Sequence, residues 1–378
     1  MRPSCTILES TLREGEQTPY IYFTHRQKLD LARMIDEAGV DIIEAGVPAM
    51  GDSERRTLEE IGRLRLHAEV VTWNRMKKED IWYSVGVGIS SVHISVPASE
   101  LLIKKKIGMH PLEALDKLAE VLDIAQKEGC RISVGAEDAS RADPLFLQEI
   151  LKLAVSFGAV RFRYADTLGL LTPDKTFTVI AKLKKNCPIP IDFHAHNDFG
   201  LATANALAAF RAGAEIISCT VLGLGERAGH TGLEEFAGCL KFLLNLPVGI
   251  NFKKLGKLCT RVAEVTGTAI PSAKPLFGRN VFTHESGIHV DAQLKHDACY
   301  EPITPEAIGR KRKIIPGKYS GSASIRYLAL KNGIRLTDEQ ADSIITRLRQ
   351  VLFSLPAVNV QKLFEQLLLD EVRDATRV

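Results

Sequence analysis

IPIDFHAHNDFGLATANALAAFRAGAEIISCTVLG, residues 189–223, contains a complete strand–helix–strand passage. IPIDFHAH (189–196) and EIISCTVLG (215–223) are short β-rich runs, and the alanine-rich LATANALAAFRAGA (201–214) between them is built from strong helix formers. A helix that carries the chain from one strand to the next sets the two strands parallel, because the crossover returns to the same edge of the sheet. The pattern recurs upstream, with strands read at CTILEST (5–11), DIIEAGV (41–47), AEVVTW (68–73), SVHISVP (91–97), RISVGAE (131–137) and RFRYADT (161–167). Amphipathic segments fill the gaps, among them HRQKLDLARMIDEAG (25–39) and HPLEALDKLAEVLDIAQKEG (110–129). Gly39 and Gly129 stand at helix C-terminal stops, and Thr172 followed by Pro173 opens a further helix. Eight β-then-α units predict a (β/α)8 TIM barrel of the α/β class over residues 1–250. The competing open doubly wound sheet would place a glycine fingerprint after its first strand, where LREGEQ (12–17) stands instead.

The alternation fades after about residue 250. The Gly- and Pro-containing PSAKPLFGRNVFTHESGIHV (271–290) shows little periodicity, so 251–285 is expected as a linker or helical connection. A small, mainly helical C-terminal region (286–378) should follow. Thr337 and Gln340 form a capping box ahead of ADSIITRLRQVLFSL, and VQKLFEQLLLDEV makes a last helix.

Of the 378 residues, 45% are apolar and 25% charged, ordinary for a globular protein with a large core, and the net charge of +3 is too small to argue for nucleic acid. The short KKK (104–106) and RKRK (310–313) runs read as solvated faces. No apolar run reaches the roughly 18 residues of a membrane span. The opening MRPSCTILES lacks the basic-then-apolar order of a leader. Seven scattered cysteines without a C-x-x-C pair read as reduced thiols, which sets the expectation of a cytoplasmic protein.

In a barrel, chemistry gathers where strands end. Here every strand end carries polar groups: Arg13 and Glu14, Glu44, Asn74 and Arg75, His93 and Ser95, Glu137 and Asp138, Asp166 and Thr167, then Asp192 to Asp198, and finally Gly223 to Arg227. Side chains alternate along a strand, so His194 and His196 share a face and Phe193 and Ala195 take the other. Two imidazoles looking into a barrel mouth suit a divalent metal, with a carboxylate as third ligand. Glu14, two strands away around the ring, is the first choice; Asp192 and Asp198 compete. Arg13 beside a metal would polarise a carbonyl oxygen. Thr167 could donate its hydroxyl to a carboxylate. GLGERAG (223–229) follows the eighth strand, a frequent phosphate position, so Gly223, Gly225 and Arg227 are candidates for holding the cofactor phosphates. His93 reads as an interior histidine. HESGIHV (284–290) supplies His284, Glu285 and His289 outside the barrel, and a histidine is the natural acid or base near neutral pH.

STLREGEQ (10–17), HAHNDFGLATANA (194–206), GLGERAG (223–229) and FTHESGIHVDA (282–292) occur in an order that resembles the acyl-CoA condensing enzymes with a metal-bearing barrel: the homocitrate, 2-isopropylmalate and citramalate synthases. GVPAMGDSERR (46–56), VGAEDASRADPLF (134–146) and RFRYADTLG (161–169) look most like the homocitrate synthases that serve nitrogenase cofactor assembly. The resemblance implies a divalent cation (zinc, manganese, magnesium, iron or cobalt) on Glu14, His194 and His196, with acetyl-CoA as co-substrate. It implies a 2-oxo acid placed by Arg13, Gln17 and Thr167, and acid/base work by His289 aided by Glu137 and Tyr300. It also implies a domain-crossed homodimer in which His289 serves the neighbouring subunit. Three departures stand out. Where the lysine-pathway enzymes carry an arginine on the fifth strand for the distal carboxylate of 2-oxoglutarate, this chain has Ser133, which leaves Arg75, Arg163 and His93 as substrate-binding candidates. Where many relatives read GERAGN, it has His230, a possible extra ligand. The chain is also too short for the long regulatory domain of typical 2-isopropylmalate synthases. Two other readings, an acyl-CoA lyase and a non-catalytic metabolite-binding barrel, lack supporting motifs; the lyases' glycine-rich cysteine loop has no counterpart at Cys259 or Cys299.

Overall fold

The computed structural model describes residues 5–355 and 358–375; the first four residues of the segment read above for a leader lie outside them. Two compact units divide the chain, residues 1–270 and 271–378.

The first unit is a closed barrel of parallel strands in sequence order: β1 Thr6–Glu9, β2 Ile42–Gly46, β3 Glu69–Arg75, β4 Ser91–Pro97, β5 Arg131–Glu137, β6 Arg161–Asp166, β7 Ile191–Ala195 and β8 Ile216–Cys219. β1 closes the ring on β8, Thr6 opposite Ile216 and Glu9 opposite Cys219. The period-two alternation sets the interior. Near the N-terminal ends of the strands, Leu8, Ile42, Val71 and Ile216 pack into one apolar cluster. Two residues further along, the same faces carry Ser10, Glu44, Trp73 and Ser218, so the barrel turns polar toward its C-terminal mouth.

Three C-terminal strand ends differ from the sequence pattern by two residues or more. The third strand runs on to Arg75. The eighth stops at Cys219, because the chain turns there: Leu222 takes a left-handed φ of 60°, and the Thr220 hydroxyl donates to the Leu224 carbonyl at 2.6 Å. β1 also ends early, at Glu9. The N–H groups of Arg13, Glu14 and Gly15 all reach back to the Ser10 carbonyl, a tight turn that sets Arg13 and Glu14 at the mouth.

The helix His25–Ala38 begins in a Thr24–Gln27 capping box and ends at Gly39, whose φ of 91° fits the left-handed cap. Against it lies the helix Phe252–Thr266, tied by an Arg261–Asp30 ion pair at 2.9 Å and by the Asn251 N–H on the Ala38 carbonyl at 2.9 Å. Its stripe of Leu255, Leu258 and Val262 is fully buried. Residues 251–270, expected as a connection, therefore complete the barrel unit.

In the second unit, β9 Thr283–His284 pairs parallel with β10 Lys313–Ile314. Helices Gly287–Lys295, Ser322–Lys331, Asp338–Ser354 and Val360–Ala375 enclose a core that includes Val290, Ile325, Ile344, Leu348 and Phe364. The Thr337–Gln340 capping box opens the third of these. Among the described residues, no helix is long and apolar enough to cross a membrane. All seven cysteines are free thiols, and Cys187, Cys219 and Cys259 are buried.

Candidate metal centre

β7 decides the site. Asp192 and His194 face inward on it and His196 follows at its end, while Phe193 and Ala195 are buried on the outer side, Phe193 against Tyr164 with ring centroids 6.2 Å apart. Glu14, delivered by the turn after β1, lies with its carboxylate oxygens 3.9 Å from His194 Nε2 and 3.7 Å from His196 Nε2. Among the described residues, Glu14, His194 and His196 form the one cluster whose ligand atoms all lie within 4.8 Å of each other, and all three are buried. The competing carboxylates are engaged elsewhere. Asp192 accepts from Arg163 at 2.6 Å and Ser218 at 2.8 Å, and Asp198 accepts from Arg227 at 2.7 and 2.8 Å.

Burial, reinforced by His230 and the nearby arginines, holds the His194 imidazole well below its ordinary pKa. Burial lowers His196 too, although Glu14 opposes it. Both rings are thus neutral and carry the lone pair a metal needs. Their Nδ1 atoms are buried without a hydrogen-bond partner. Two nitrogen ligands and one carboxylate, convergent and dry, fit a divalent cation.

Beneath the triad lies a ring of paired charges. Glu44 accepts from Arg13 Nε at 2.7 Å, Ser10 at 2.6 Å and Arg163 at 2.8 Å, and Arg163 also binds Asp192. Burial alone would raise the Glu44 pKa; Arg13 and Arg163 outweigh it and hold the carboxyl well below the usual range. Arg13 additionally pairs with Glu14, so one guanidinium links this ring to the triad. Glu44 was visible in the sequence as the charge in the middle of DIIEAGV, yet nothing there showed that it binds two arginines.

A cavity of about 210 Å³ opens over this assembly, and Gln17, His93, Glu137, Arg163 and Thr167 line it with the triad. Thr167 Oγ1 accepts the Asp138 N–H at 2.8 Å, leaving its own proton to donate. Glu137 is held by Lys106 at 2.7 Å, a partner the sequence did not single out. His93 is fully buried, bonded to Ser133 at 2.9 Å, and burial pushes its pKa far down. Its ring occupies space that only a glycine leaves: a Cβ on Gly135 would come within 2.5 Å of it. Arg163 Nη2 is buried with no partner.

Two sets of candidates fall outside this arrangement. Arg75 lies over a neighbouring groove and binds Asp80 through both Nε (2.9 Å) and Nη2 (2.8 Å), so it does not enter the triad's cavity. The 223–229 loop does not form the expected phosphate cradle, because its donors are engaged inside the protein. The N–H of Gly223 bonds Thr220, that of Gly225 bonds the Thr18 hydroxyl, and that of Gly229 bonds Glu226. Arg227 clasps Asp198 and the Thr167 carbonyl. The loop instead braces the turn after β1 and the end of β7.

In the second unit, the rings of His289 and Tyr300 stack at 4.0 Å. Glu301, next in sequence, is held by Arg312 at 2.6 and 2.7 Å and by His284 at 3.0 Å.

Residues 4–262 match the HMGL-like family, and residues 276–353 match the homocitrate synthase post-HMGL domain-like family. The chain is 41% identical to 2-isopropylmalate synthase 2 of Caldanaerobacter subterraneus subsp. tengcongensis over 92% of its length and 91% of that protein's. It is 40% identical to homocitrate synthase 1 of Nostoc sp. over 91% of each. The crystal structure of hydroxymethylglutaryl-CoA lyase from Pseudomonas aeruginosa shares the fold, with a TM-score of 0.64 at 20% identity, covering 71% of this chain and 95% of that one. By the match of its barrel and of the region behind it, and by its likeness to named synthases along nine-tenths of their length, this chain belongs to the HMGL-like family, among its homocitrate, 2-isopropylmalate and citramalate synthase members.

Proposed function

We propose that the protein condenses acetyl-CoA with a 2-oxo acid in the cytoplasm, and that the acid is 2-oxoglutarate, giving (R)-homocitrate and CoA for nitrogenase cofactor assembly. The observation that carries the reading is the buried Glu14–His194–His196 cluster with Arg13 beside it in a polar cavity. A divalent cation held by these three residues, when bound, polarises the keto group of the acid. Arg13 donates to the keto oxygen as negative charge develops there. The free Thr167 proton and the Gln17 amide hold the adjacent carboxylate. The unpartnered Arg163 Nη2 and the His93 ring take the distal carboxylate, in place of the arginine that Ser133 replaces.

The chemistry balances simply. A base removes a proton from the acetyl methyl group, the resulting carbon joins the keto carbon, and the keto oxygen takes up a proton. Water then cleaves the thioester and releases the CoA thiol. His289, with the Tyr300 ring stacked on it, is assigned to the proton transfers, and Glu137 in the barrel cavity is assigned to aid them. In this proposal His289 serves a second copy of the chain. Large exposed side chains stand around the mouth on the loops after β1, β2, β6 and β7 (Tyr20, Tyr22, Met50, Leu170 and Phe199), a rim suited to burial by a partner. A single leftover nitrogen on Arg163, Nη2, also leaves room for a second reading, in which an acid with an apolar tail, pyruvate or 2-oxoisovalerate, gives citramalate or 2-isopropylmalate.

Thiol release from acetyl-CoA, measured with 2-oxoglutarate, pyruvate, 2-oxoisovalerate and oxaloacetate in turn, tests the proposal. 2-Oxoglutarate should be fastest, with Glu14→Gln inactive. Faster turnover with pyruvate or 2-oxoisovalerate would move the reading to the second one, and no release with any acid would end both.

A further inference from the structure

His230 is fully buried, and neither of its ring nitrogens has a hydrogen-bond partner. Buried polar atoms are rarely left so, and a ring with both nitrogens bare calls for a ligand. Its surroundings say which kind. The His230 ring centroid lies 4.1 Å from that of His194 and 5.4 Å from that of His196. Its backbone is fixed there: the N–H bonds the Gly223 carbonyl at 2.9 Å, and the residue forms an antiparallel bridge with His196. Gly225 makes the convergence possible, since a Cβ at that position would meet His230 Cβ at 3.2 Å and Glu14 Oε1 at 3.3 Å. His230 thus shares one small dry space with the Glu14–His194–His196 cluster, while standing just outside its tightest grouping.

We propose that His230 is a fourth protein ligand of the metal centre, making a three-imidazole, one-carboxylate donor set selective for zinc, cobalt or iron over magnesium. The inference rests on the reading of that cluster as a cation site. The ring reaches the cation by side-chain rotation from a fixed backbone and gives one of its bare nitrogens a partner. Imidazole suits the later divalent metals, whereas magnesium demands oxygen ligands and keeps its waters. With two imidazoles the site would be indifferent; a third tips it.

X-ray absorption at the metal edge of the full-length protein loaded with zinc alone counts the imidazoles directly. Three are expected in the wild type and two in His230→Asn. In a competition with magnesium, zinc should bind the variant about tenfold or more weakly than the wild type, and magnesium about equally. Should the variant fail to fold, judged by its circular dichroism, the wild-type count alone decides. Two imidazoles in the wild type, or unchanged zinc affinity in a folded variant, overturns the proposal and leaves the three-residue site standing. A wild type that binds neither zinc nor cobalt instead overturns the cation reading itself.

Discussion

Adjacent strands of the barrel bury two glutamates completely, with opposite results. Inside the barrel, Glu44 on β2 meets Arg13, Arg163 and Ser10, which keep it ionised. On the outer face of β1, Glu9 meets no cation among the described residues. One of its oxygens accepts from Thr11 and from the Val221 N–H, the other has no partner, and burial pushes its pKa up to about 7. Burial costs a charge the same desolvation in both places; what differs is whether a guanidinium answers it. The inner face was furnished to hold charge, and the outer wall only tolerates a polar atom. The imidazoles at the mouth are a third case, neither charged nor paired, and so available to a ligand.

The sharpest way to break this comparison is to remove the charge inside the barrel. Glu44→Gln leaves Arg13 and Arg163 buried without their shared anion and should cost about 3–5 kcal/mol in urea unfolding at pH 7. It should also lower turnover, because Arg13 would lose the partner that aims it. A loss below about 1 kcal/mol would mean the ring of charges is not what holds these strands in place.

The outer glutamate gives the next effect, and its sign follows from linkage. Glu9 holds its proton up to about pH 7 in the folded chain but releases it near 4.5 when unfolded. Between those values the folded state binds more protons, so stability falls as pH rises and then levels off. The integrated loss is roughly 3 kcal/mol. Glu9→Gln should remove that slope and make the protein more stable than wild type at pH 8, read from unfolding midpoints at pH 5 and pH 8. Glu44, with its pKa lowered, acts the opposite way: its contribution is present above pH 4.5 and fades only as acid reaches its depressed pKa.

The mouth should respond to ligand instead of to pairing. Zinc at about 100 times its dissociation constant should stabilise the wild type by about 2.7 kcal/mol and Glu14→Gln hardly at all. A metal-free melting point in Glu14→Gln close to the wild type would complete the contrast with Glu44.

The sequence carried these three regions unequally. The barrel was readable because β-rich runs and amphipathic helices alternate eight times, and no tertiary contact was needed to see it. His194 and His196 were readable because a strand has period two. The Glu44–Arg163–Asp192 ring was not, since its members come from β2, β6 and β7 and meet only once the ring closes. The role of GLGERAG was misread for a related reason. A glycine-rich loop after the eighth strand offers N–H groups in principle, but here Thr18, Thr220 and Glu226 take them, and no local pattern announces such partners. The helix Phe252–Thr266 has a clear apolar stripe, yet only packing against His25–Ala38 assigns it to the barrel.

The smallest effect expected is at Arg75, and it sharpens the contrast between two guanidiniums. Arg163 is buried under the cavity with Nε and Nη1 engaged by carboxylates and Nη2 left over. Arg75 is half-exposed and aligned on Asp80, over a different groove. A distal carboxylate drawn to Arg75 would have to displace Asp80, which is itself buried and also accepts the Arg75 backbone N–H at 3.0 Å. Displacement would leave Asp80 short of its partner, so the exchange gains nothing. Arg75→Met should therefore change the KM for the 2-oxo acid by no more than about twofold, the range of an ordinary surface substitution. A tenfold rise confined to that KM, with the acetyl-CoA KM unchanged, would put the distal carboxylate beside β3 and take it away from Arg163.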